Sequence, residues 1–492
     1  MRSAQVTKLM QIPVPYDFRG YPLQNFGNSA ALEIVDAGKL QFNCKETYEL
    51  FDNCVFPYIF VPILPMSNET PIESGPFKNW AGNIVFGATR KAQPRTLTEV
   101  QELVASSERI RAVGTAHSFS PIADTSGVHI SVANLDADLY ISPDRSFVTV
   151  AAGIKYGDLA KLLHSAGLAL HNMASLPHIS VGGAIATGTH GSGDLNGNLA
   201  TAVVSLQIVT ANGSVVELSP ENNSNVFKGA VIGLGALGIV TRVSLRVQPA
   251  YAVSQVVFAG LTHNTLCSNF DQVFSSSYSV SAFTTWRDGP DCQLFLKRRN
   301  DMTEQLLAEE WLGARRQHTQ IHPLPEYPAD CCTEQCGIPG PWYERLPHFR
   351  LDFMPSFGDE LQTEYLVPRS NAVEALRRVK ALRAAISPLL QVSEIRTIAA
   401  DDLWLSGSYG RDSVGIHFTW NNNSAVLAIL PLIEAALYPL GARPHWGKLF
   451  TTEPTQIANT YPQFLAFTEL VHDWDPGGKF TNSLLGSVFD VR

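Results

Sequence analysis

The sequence of 492 residues has few charged side chains and no excess of positive charge. Asp, Glu, Lys and Arg make up 16% of the chain, and the 36 Lys and Arg are outnumbered by 45 Asp and Glu, giving a net charge of -9. Nucleic acids and anionic membranes require clustered positive charge, so neither is expected as the main partner. Hydrophobic residues account for 45% of the chain, which excludes a disordered protein and is enough for sizeable cores.

Cysteine is scarce, and no apolar run is long enough to span a bilayer. Seven cysteines in so long a chain argue against a disulfide scaffold and favour a reducing compartment. Cys331, Cys332 and Cys336 form one cluster, but they lack the paired C-x-x-C units of zinc sites, so no metal is expected. The apolar run 54–66 is too short for a transmembrane segment and contains three prolines. The first residues lack the apolar block of a secretory signal, so a cytoplasmic location is expected.

The composition and periodicity of the sequence change near residue 79. Residues 1–78 are rich in Pro, Asn, Phe and Tyr and show little periodicity, so they are interpreted as an extension of unknown role. The pattern after residue 78 predicts an α+β unit with a helix at 97–107, strands at 110–113, 128–132 and 146–152, and a helix at 156–166. A hairpin is predicted at 202–218, around Ala211-Asn212-Gly213, and a strand at 239–248.

The pattern of predicted helices and strands changes again beyond residue 251. Two helical stretches, 371–386 and 424–438, lie among strand-like segments such as 415–420 and predict a second α+β domain. The final stretch, 444–492, is rich in Trp, Pro, Gly and Asn and is expected to pack back onto the first domain.

One glycine motif points to a dinucleotide fold that the context does not support. Gly233, Gly235 and Gly238 match G-x-G-x-x-G, which binds a pyrophosphate only between a strand and a helix. Here the next residues alternate as a strand, and no acidic residue lies about twenty positions on. Glycines that permit close backbone approach, beside a different cofactor, are the better interpretation.

Two other segments are rich in small residues and exposed amides. Residues 111–121 (RAVGTAHSFSP) run from a strand into small residues and His117, and residues 180–193 (SVGGAIATGTHGSG) form a second glycine- and threonine-rich loop. Two such loops could wrap a dinucleotide without a Rossmann helix, because backbone N–H groups bind phosphate. The alternative is that both are tight turns and that His117 is structural.

Polar residues also alternate along two strand-like runs. Glu394 and Arg396 share one face of VSEIRTI, His417 and Thr419 share one face of GIHFTW, and Lys448 comes next in RPHWGK. Each alone could face solvent. Together they could line a pocket for a polyhydroxylated ligand, since Arg presents a fork of donors and Glu accepts hydroxyl protons.

Several segments resemble the vanillyl-alcohol oxidase superfamily of flavoproteins. They are GTAHSFSP (114–121), HNMASLPHISVGGAIATGTHGSG (171–193), EIRT (394–397) and DPGGKFTN (475–482). Within it the chain is most similar to alditol (xylitol) oxidases, which are related to D-arabinono-1,4-lactone oxidases. The resemblance covers about residues 79–492. It implies a two-domain α+β fold, with a PCMH-type FAD-binding domain at 79–250, a substrate domain at 251–443 and a segment at 444–492 that completes the FAD domain.

The resemblance also implies roles for individual residues. His117 matches a histidine bonded covalently to FAD. The first pyrophosphate loop corresponds to Ala112, Val113, Gly114, Thr115, Ala116 and Ser118. The second corresponds to Ser180, Gly183, Thr187, Gly188, Thr189 and His190, and further flavin contacts to Ile239 and His445. Substrate-contacting positions correspond to Ser175, Glu394, Arg396 and Thr419, with Ser175 also beside the flavin and Lys448 beside the reacting centre. The family usually has Gly-Ser-Gly-His where this chain has Gly114-Thr115-Ala116-His117.

The implied reaction is oxidation of a sugar alcohol at its primary hydroxyl, with O2 as acceptor and H2O2 as product. Arg396 and Lys448 are the electrostatic candidates, Glu394 would fix the hydroxyl pattern, and Lys448 is the candidate base. Two alternatives stay open: an aldonolactone oxidase or dehydrogenase, and a flavin-binding protein without turnover. The sequence leaves open membrane association of the kind found in aldonolactone oxidases and the oligomeric state, with which a monomer is compatible.

Overall fold

The computed structural model describes residues 77–136, 138–303, 307–324, 327–353 and 358–490. Residues 1–76 of the predicted extension, including the run 54–66, lie outside the described residues. Phe77 and Lys78 pack against the adjoining segment: the Phe77 ring lies 4.8 Å from that of Phe86, and Lys78 pairs with Val85. The boundary at 78/79 stays a prediction, and these contacts support placing it before Phe77.

Small sheets organise the N-terminal half. Three parallel strands lie in the order Arg90–Ala92, Val128–Ile130 and Ile110–Ala112. Five antiparallel strands lie in the order Tyr140–Ile141, Phe147–Ala151, Ile239–Arg246, Val203–Val209 and Val215–Leu218. A third, two-stranded sheet pairs Leu168–Ala169 with Gln248–Pro249. The helices of this half are Leu97–Ser106, Tyr156–Ser165, Val181–Ala186 and Ser224–Val231.

The local sequence explains where these elements begin and end. Thr96 starts its helix through a capping box, in which its side chain accepts from the Glu99 amide and Glu99 accepts from the Thr96 amide. Gly167, at φ +70°, comes after the helix Tyr156–Ser165, where a side chain would be strained. The predicted helices, strands and hairpin of this half are found to within one or two residues of their expected ends.

The second half contains a ten-stranded antiparallel sheet whose strands differ in length. Its strands lie in the order Glu310–Trp311, Ala314–Arg316, Ala252–Leu261, Cys292–Arg299, Ser279–Thr284, Leu390–Ile398, Ser413–Asn421, Glu360–Pro368 and Arg443–Pro444, and Gly340–Pro341 pairs with Ala252–Leu261. One face is covered by the helices His263–Ser268, Phe270–Phe274, Ala372–Ala381, Arg383–Ile386 and Val426–Leu437. The predicted helix at 371–386 is two helices, Ala372–Ala381 and Arg383–Ile386.

The last part of the chain returns to the first half. Its helices are Pro454–Ala458, Phe464–Trp474 and Ser483–Phe489, and their apolar side chains join the core formed by the small sheets. The amide of Ile110 donates to the Lys479 carbonyl at 3.0 Å, and the Asn482 amide group donates to the Pro121 carbonyl at 3.0 Å. Short 3₁₀ turns lie at Pro121–Ala123, Leu199–Ala202, Ala329–Cys331, Trp342–Glu344, Arg369–Asn371 and Tyr438–Leu440.

The structure has a mixed α and β architecture, as predicted. The apolar residues form two large clusters, one around the small sheets and the C-terminal helices and one beneath the ten-stranded sheet. The domain limits at 250/251 and 443/444 remain a proposal, which this division of the core supports. In the described part of the chain, no helix has both the length and the apolar character needed to cross a membrane.

Candidate active site

A cavity of about 860 Å³ opens where the small-residue segments of the first half meet the polar face of the ten-stranded sheet. This volume lies within the range of small-molecule and cofactor sites. One end is lined by backbone and small side chains, and the other end by buried ionic groups. The two ends could hold a large cofactor and a small polar ligand in contact with each other.

The first small-residue segment forms one wall. Its lining residues are Ala112, Val113, Gly114, Thr115, Ala116, His117 and Ser118, as the resemblance implies. A Cβ on Gly114 would lie 2.2 Å from the Ser180 hydroxyl oxygen, so a side chain here would force that hydroxyl to rotate away. Ala116 has φ 53°, a conformation that glycine adopts without strain. The departure Gly-Thr-Ala-His therefore puts an alanine in a left-handed position.

His117 projects into the cavity with an unpaired ring nitrogen. Its Nε2 is buried and has no hydrogen-bond partner among the described residues. The ring packs against Trp80, with 4.4 Å between the centroids. Burial, with a smaller effect from the charge of Lys448, lowers the pKa of His117 to about 3. The imidazole is therefore neutral, with a ring nitrogen free to bind a group placed in the cavity.

The second segment is a helix and then a turn rather than a loop throughout. Val181–Ala186 is helical, so the expectation of a loop over 180–193 was wrong for these six residues. Glycines on consecutive positions do not prevent a short helix when its small side chains pack closely: a Cβ on Gly182 would lie 3.0 Å from the Ala152 side chain. The lining residues of this segment include Ser180, Gly183, Thr187, Thr189 and His190, whereas Gly188 does not line the cavity.

The G-x-G-x-x-G segment also lines the cavity, but not as a Rossmann turn. The helix Ser224–Val231 precedes it and the strand Ile239–Arg246 comes after it, which is the reverse of the dinucleotide order. Gly233, Gly235 and Gly238 lie on the cavity wall. Ile239 is fully buried opposite Val209 and does not line the cavity with its side chain. The interpretation of these glycines as close-approach positions fits this placement.

The polar residues of the ten-stranded sheet meet at the other end of the cavity. Glu394 and Arg396 project together from the strand Leu390–Ile398, and His417 and Thr419 from its neighbour Ser413–Asn421. Glu394 and Arg396 are 5% and 7% exposed, so neither is a solvated surface charge. The Arg396 Nε lies 3.6 Å from a Glu394 carboxylate oxygen, and His417 Nε2 lies 3.2 Å from the Thr419 hydroxyl. The alternation in the sequence predicted this shared face.

Glu364 lies at the centre of the cluster, and the sequence reasoning missed it. Arg396 donates to its Oε1 at 2.9 Å, and His190 Nε2 lies 3.1 Å from the same oxygen. Burial opposes ionisation of Glu364, but the Arg396 and His190 partners prevail and hold its pKa well below the usual range. The signal was available, because Glu360, Gln362 and Glu364 alternate on one face of a strand in ELQTEYLVP.

His348 is a second residue of the cavity wall that the sequence reasoning missed. Its Nε2 lies 3.1 Å from Glu394 Oε1 and 3.1 Å from the Ser281 hydroxyl oxygen. Its Nδ1 lies 3.4 Å from the buried Lys297 ammonium. The backbone amide of His348 donates to the Ser175 carbonyl at 3.2 Å, which ties this segment to a predicted substrate position on the cavity wall.

The C-terminal segment contributes Lys448 and His445. The Lys448 ammonium donates to the Gln362 side-chain oxygen. Burial lowers the pKa of Lys448 to about 8, with Glu364 opposing the shift and Arg396 adding to it. His445 lines the cavity, its backbone amide donates to the Glu364 carbonyl at 2.9 Å, and burial lowers its pKa to about 3. Lys448 is therefore the one predicted catalytic residue able to change protonation near neutral pH.

Two groups of potential metal ligands occur among the described residues, and the second offers poor ligand atoms. His190, Glu364 and His445 belong to the ionic cluster already described. His322, Cys331 and Cys332 lie together, but His322 Nδ1 accepts the Leu324 amide at 2.9 Å, so its other nitrogen carries the proton and offers no lone pair. Burial also raises the pKa of both thiols, which disfavours the thiolates that a metal requires.

Known protein families and known proteins match large parts of this chain. Residues 89–219 match a family described as an FAD binding domain, and residues 357–488 match D-arabinono-1,4-lactone oxidase. An alditol oxidase from Streptomyces sp. is 46% identical over 84% of this chain and 98% of its own length. The L-gulonolactone oxidase of Bos taurus is 28% identical over 84% and 98% of the two chains.

A solved structure supports the fold. A solvent-stable cholesterol oxidase superposes with a TM-score of 0.69 and 16% identity, covering 84% of this chain and 97% of its own. The sequence identity with the Streptomyces enzyme, maintained over almost the whole of that protein, carries the closer relationship. The chain therefore belongs to the alditol oxidase family of FAD-dependent oxidoreductases.

Proposed function

We propose that the protein oxidises open-chain sugar alcohols such as xylitol and sorbitol at a primary hydroxyl. The alcohol and O2 become an aldose and H2O2, so that two hydrogens leave the substrate and both join O2. One observation carries this proposal: the buried Glu394–Arg396 pair lines the same cavity as the unpaired His117 nitrogen. A cofactor held at one end would therefore meet a hydroxylated ligand held at the other.

The residues of the first end fit FAD. The tight approach at Gly114 and the glycines of 233–238 leave a wall of backbone that admits a large planar group and a pyrophosphate. We propose that His117 bonds covalently to the flavin, because its neutral ring has a nitrogen at the cavity without a partner. Flavin that stays with the polypeptide on an acidic denaturing gel, and is released in His117→Ala, would support the bond. Flavin lost from the native sequence would refute it.

The ionic end would bind and orient the polyol. When bound, FAD supplies a two-electron acceptor for the hydrogen of the alcohol carbon and transfers those electrons to O2. Glu394 would accept a hydrogen bond from a substrate hydroxyl, and Thr419 would form a hydrogen bond with a neighbouring hydroxyl. Arg396 would donate to the oxygen that develops negative charge, a role for which its two carboxylate contacts fix its orientation.

Lys448 is the candidate for removing the hydroxyl proton. Its pKa of about 8 leaves a fraction of neutral amine at physiological pH, and the amine lone pair can accept a proton. The Gln362 oxygen holds the Lys448 nitrogen at the cavity wall. Arg396 cannot serve in this way, since a guanidinium flanked by two carboxylates stays protonated.

An aldonolactone oxidase or dehydrogenase remains the second candidate, because residues 357–488, which include Glu364, Glu394, Arg396 and Lys448, match D-arabinono-1,4-lactone oxidase. A lactone has a carbonyl and fewer hydroxyls, so it would leave Glu394 without a matching donor. An unpaired buried polar group costs about 1–3 kcal/mol, or roughly 5- to 150-fold in specificity. The polyol is therefore expected to exceed the lactone by at least about tenfold in kcat/KM.

Anaerobic reduction of the purified protein by matched polyols and lactones tests this choice. Xylitol or sorbitol should bleach the flavin absorbance faster than an aldonolactone at equal concentration. Glu394→Gln is the matched variant: it should slow reduction by polyols and leave reduction by lactones almost unchanged. Faster reduction by lactones, or an equal loss for both classes in Glu394→Gln, would favour the aldonolactone function.

A cytoplasmic location and a monomeric state remain proposals from the sequence. Cell fractionation with an antibody to the protein tests the first, and light scattering of the flavin-loaded protein tests the second.

A further inference from the structure

Lys297 is a buried cation outside the cavity. It lies on the strand Cys292–Arg299, is 1% exposed, and is not among the residues that line the cavity. In the described part of the chain, no carboxylate lies within 4.0 Å of its ammonium. Burying a lysine in this way is unfavourable unless its protons are used. The role of Lys297 must therefore come from what the ammonium contacts.

The contacts of Lys297 lead to the substrate end of the cavity. Its Nζ donates to the Leu346 carbonyl and lies 3.4 Å from His348 Nδ1. The opposite ring nitrogen of His348 lies 3.1 Å from Glu394 Oε1. Lys297, His348 and Glu394 thus form a continuous chain of contacts. Of these three residues, only Glu394 was predicted from the sequence to contact the substrate.

The direction of these hydrogen bonds is set by the chemistry of an ammonium. Burial lowers the pKa of Lys297 to about 7, so the ammonium form is the main one below that pH. In this form the lysine has three donors and no acceptor, so His348 Nδ1 accepts from it and His348 Nε2 carries the ring proton. This tautomer donates to Glu394. The opposite tautomer would direct a lone pair at the carboxylate and repel it. Burial and the Lys297 charge lower the pKa of His348 to about 4, which keeps the ring neutral.

The ring of His348 is also fixed in orientation. Phe283 and Phe295 contact it edge-on, with centroid distances of 5.1 and 5.5 Å and interplanar angles of 80° and 85°. The ring cannot rotate to exchange its two nitrogens without displacing these aromatic side chains. With the ring fixed, Nε2 faces Glu394, and the Lys297 ammonium at Nδ1 favours the tautomer that carries its proton on Nε2.

We propose that Lys297 is a positioning residue for polyol oxidation, acting through the tautomer of His348 to orient Glu394 toward a substrate hydroxyl. This inference rests on the proposed function, because Glu394 is the group through which a polyol would be recognised. Lys297 itself touches neither substrate nor cofactor in this arrangement. Its removal should therefore affect substrate affinity and leave the flavin in place.

Lys297→Met removes the ammonium and keeps the length and apolar stem of the side chain. We expect its KM for the best polyol to rise about tenfold, the lower end of the loss of a hydrogen bond to a charged group, with kcat changed less. Flavin content and melting temperature report on folding. Lys161→Met, the same change on the exposed side of a helix, is the matched control and should have no effect on KM.

A double-mutant cycle separates positioning from a general structural effect. If Lys297 acts through Glu394, then Lys297→Met added to Glu394→Gln should change KM less than about twofold, because the carboxylate it orients is already gone. An undiminished effect of Lys297→Met in the Glu394→Gln background would overturn the proposal, as would a normal KM in the single variant.

Solid-state ¹⁵N NMR of histidine-labelled protein tests the tautomer without turnover. The signal missing from His348→Asn identifies His348. Protonation at Nε2 in the native sequence, changed in Lys297→Met, is the expected result, and protonation at Nδ1 in the native sequence would overturn the inference. This measurement stands even if no polyol reduces the flavin, an outcome that would refute the proposed function alone.

Discussion

Replacing Arg396 with alanine should damage both stability and activity, because it removes the cation that Glu364 and Glu394 share. These carboxylates are 1% and 5% exposed and lie 2.9 and 3.6 Å from the guanidinium. Removing one partner of a buried ion pair costs about 3–5 kcal/mol, since the charge left behind is desolvated and unpaired. For a chain of this size that corresponds to a melting temperature lower by roughly 3–6 °C. The loss of a donor to the reacting oxygen should reduce kcat/KM by about 10²-fold or more.

The pH dependence of this destabilisation has a definite sign. In the native sequence the pKa values of Glu364 and Glu394 lie below their usual range, so their contribution to stability is present above about pH 4.3, the unfolded value, and is lost as the pH falls through the folded values. Without Arg396, burial is opposed by the histidine contacts alone, so we expect the folded pKa values to rise above the unfolded ones. The cost of ionisation then grows as the pH rises. The difference in melting temperature between Arg396→Ala and the native protein should therefore be larger at pH 7 than at pH 5.

Arg369→Ala is the matched control for this experiment. Arg369 also bridges two carboxylates, Asp194 at 2.6 Å and Asp271 at 2.9 Å, but its side chain is 22% exposed and that of Asp271 is 85% exposed. A partly solvated pair of this kind contributes about 1 kcal/mol or less. Scanning fluorimetry at both pH values, with flavin content measured in parallel, compares the two variants. Equal melting temperatures for the Arg396→Ala and native proteins, or a loss of activity below about threefold, would refute the buried ion cluster.

Three other parts of the molecule can be tested separately. If Lys448 accepts the hydroxyl proton, kcat/KM should rise as the pH approaches the Lys448 pKa of about 8 and should level off above it. The Lys448→Met variant should lack this rise with pH. A decrease in kcat/KM above pH 8 would show that the ammonium is required instead. Ala174 is a small side chain on the cavity wall, so O2 should reoxidise the reduced protein rapidly in stopped-flow mixing, and Ala174→Leu should slow this step. Slow reoxidation of the native protein by O2, with fast electron transfer to a dye, would indicate a dehydrogenase. Deleting residues 1–76 should preserve flavin content and turnover. A longer deletion, through Trp80, removes the ring that packs on His117 and should reduce the amount of covalently bound flavin. Loss of flavin in the shorter deletion would show that the extension belongs to the fold.

Local patterns in the sequence predicted elements and shared faces well. Alternation placed Glu394 and Arg396 on one strand face and His417 and Thr419 on another, and the structure brings both faces to one cavity. Alternation depends only on the strand period of two, which is a property of neighbouring residues. The same holds for the predicted helix at 97–107 and for the hairpin around Asn212-Gly213. Each of these features is decided within a few residues.

The residues that were missed depend on which strands become neighbours. Glu364 is important because its strand pairs with Ser413–Asn421, which places it opposite His417 and within reach of Arg396. His348 reaches Glu394 from a segment 46 residues earlier in the chain. No local pattern records such pairings, since strand order in an antiparallel sheet of ten strands is set by the packing of the whole sheet. The helix Val181–Ala186 was missed for another reason: its glycines have high intrinsic cost in a helix, and tertiary packing overrides that cost.

The charge balance of the cavity limits the class of substrate beyond what single residues indicate. Arg396 and the protonated form of Lys448 supply two positive charges, and Glu364 and Glu394 supply two negative charges within the same cluster. In the neutral form of Lys448, which would accept the hydroxyl proton, only one positive charge remains. Glu360, on the same wall, is a further acidic residue. A sugar acid or sugar phosphate would bring an anion to a cluster whose cations are already matched, and a buried anion without a cation is strongly unfavourable. We expect an uncharged, open-chain polyol to avoid this cost, because its hydroxyls would donate to Glu394 and accept from Arg396 without adding a charge that the cavity would have to balance.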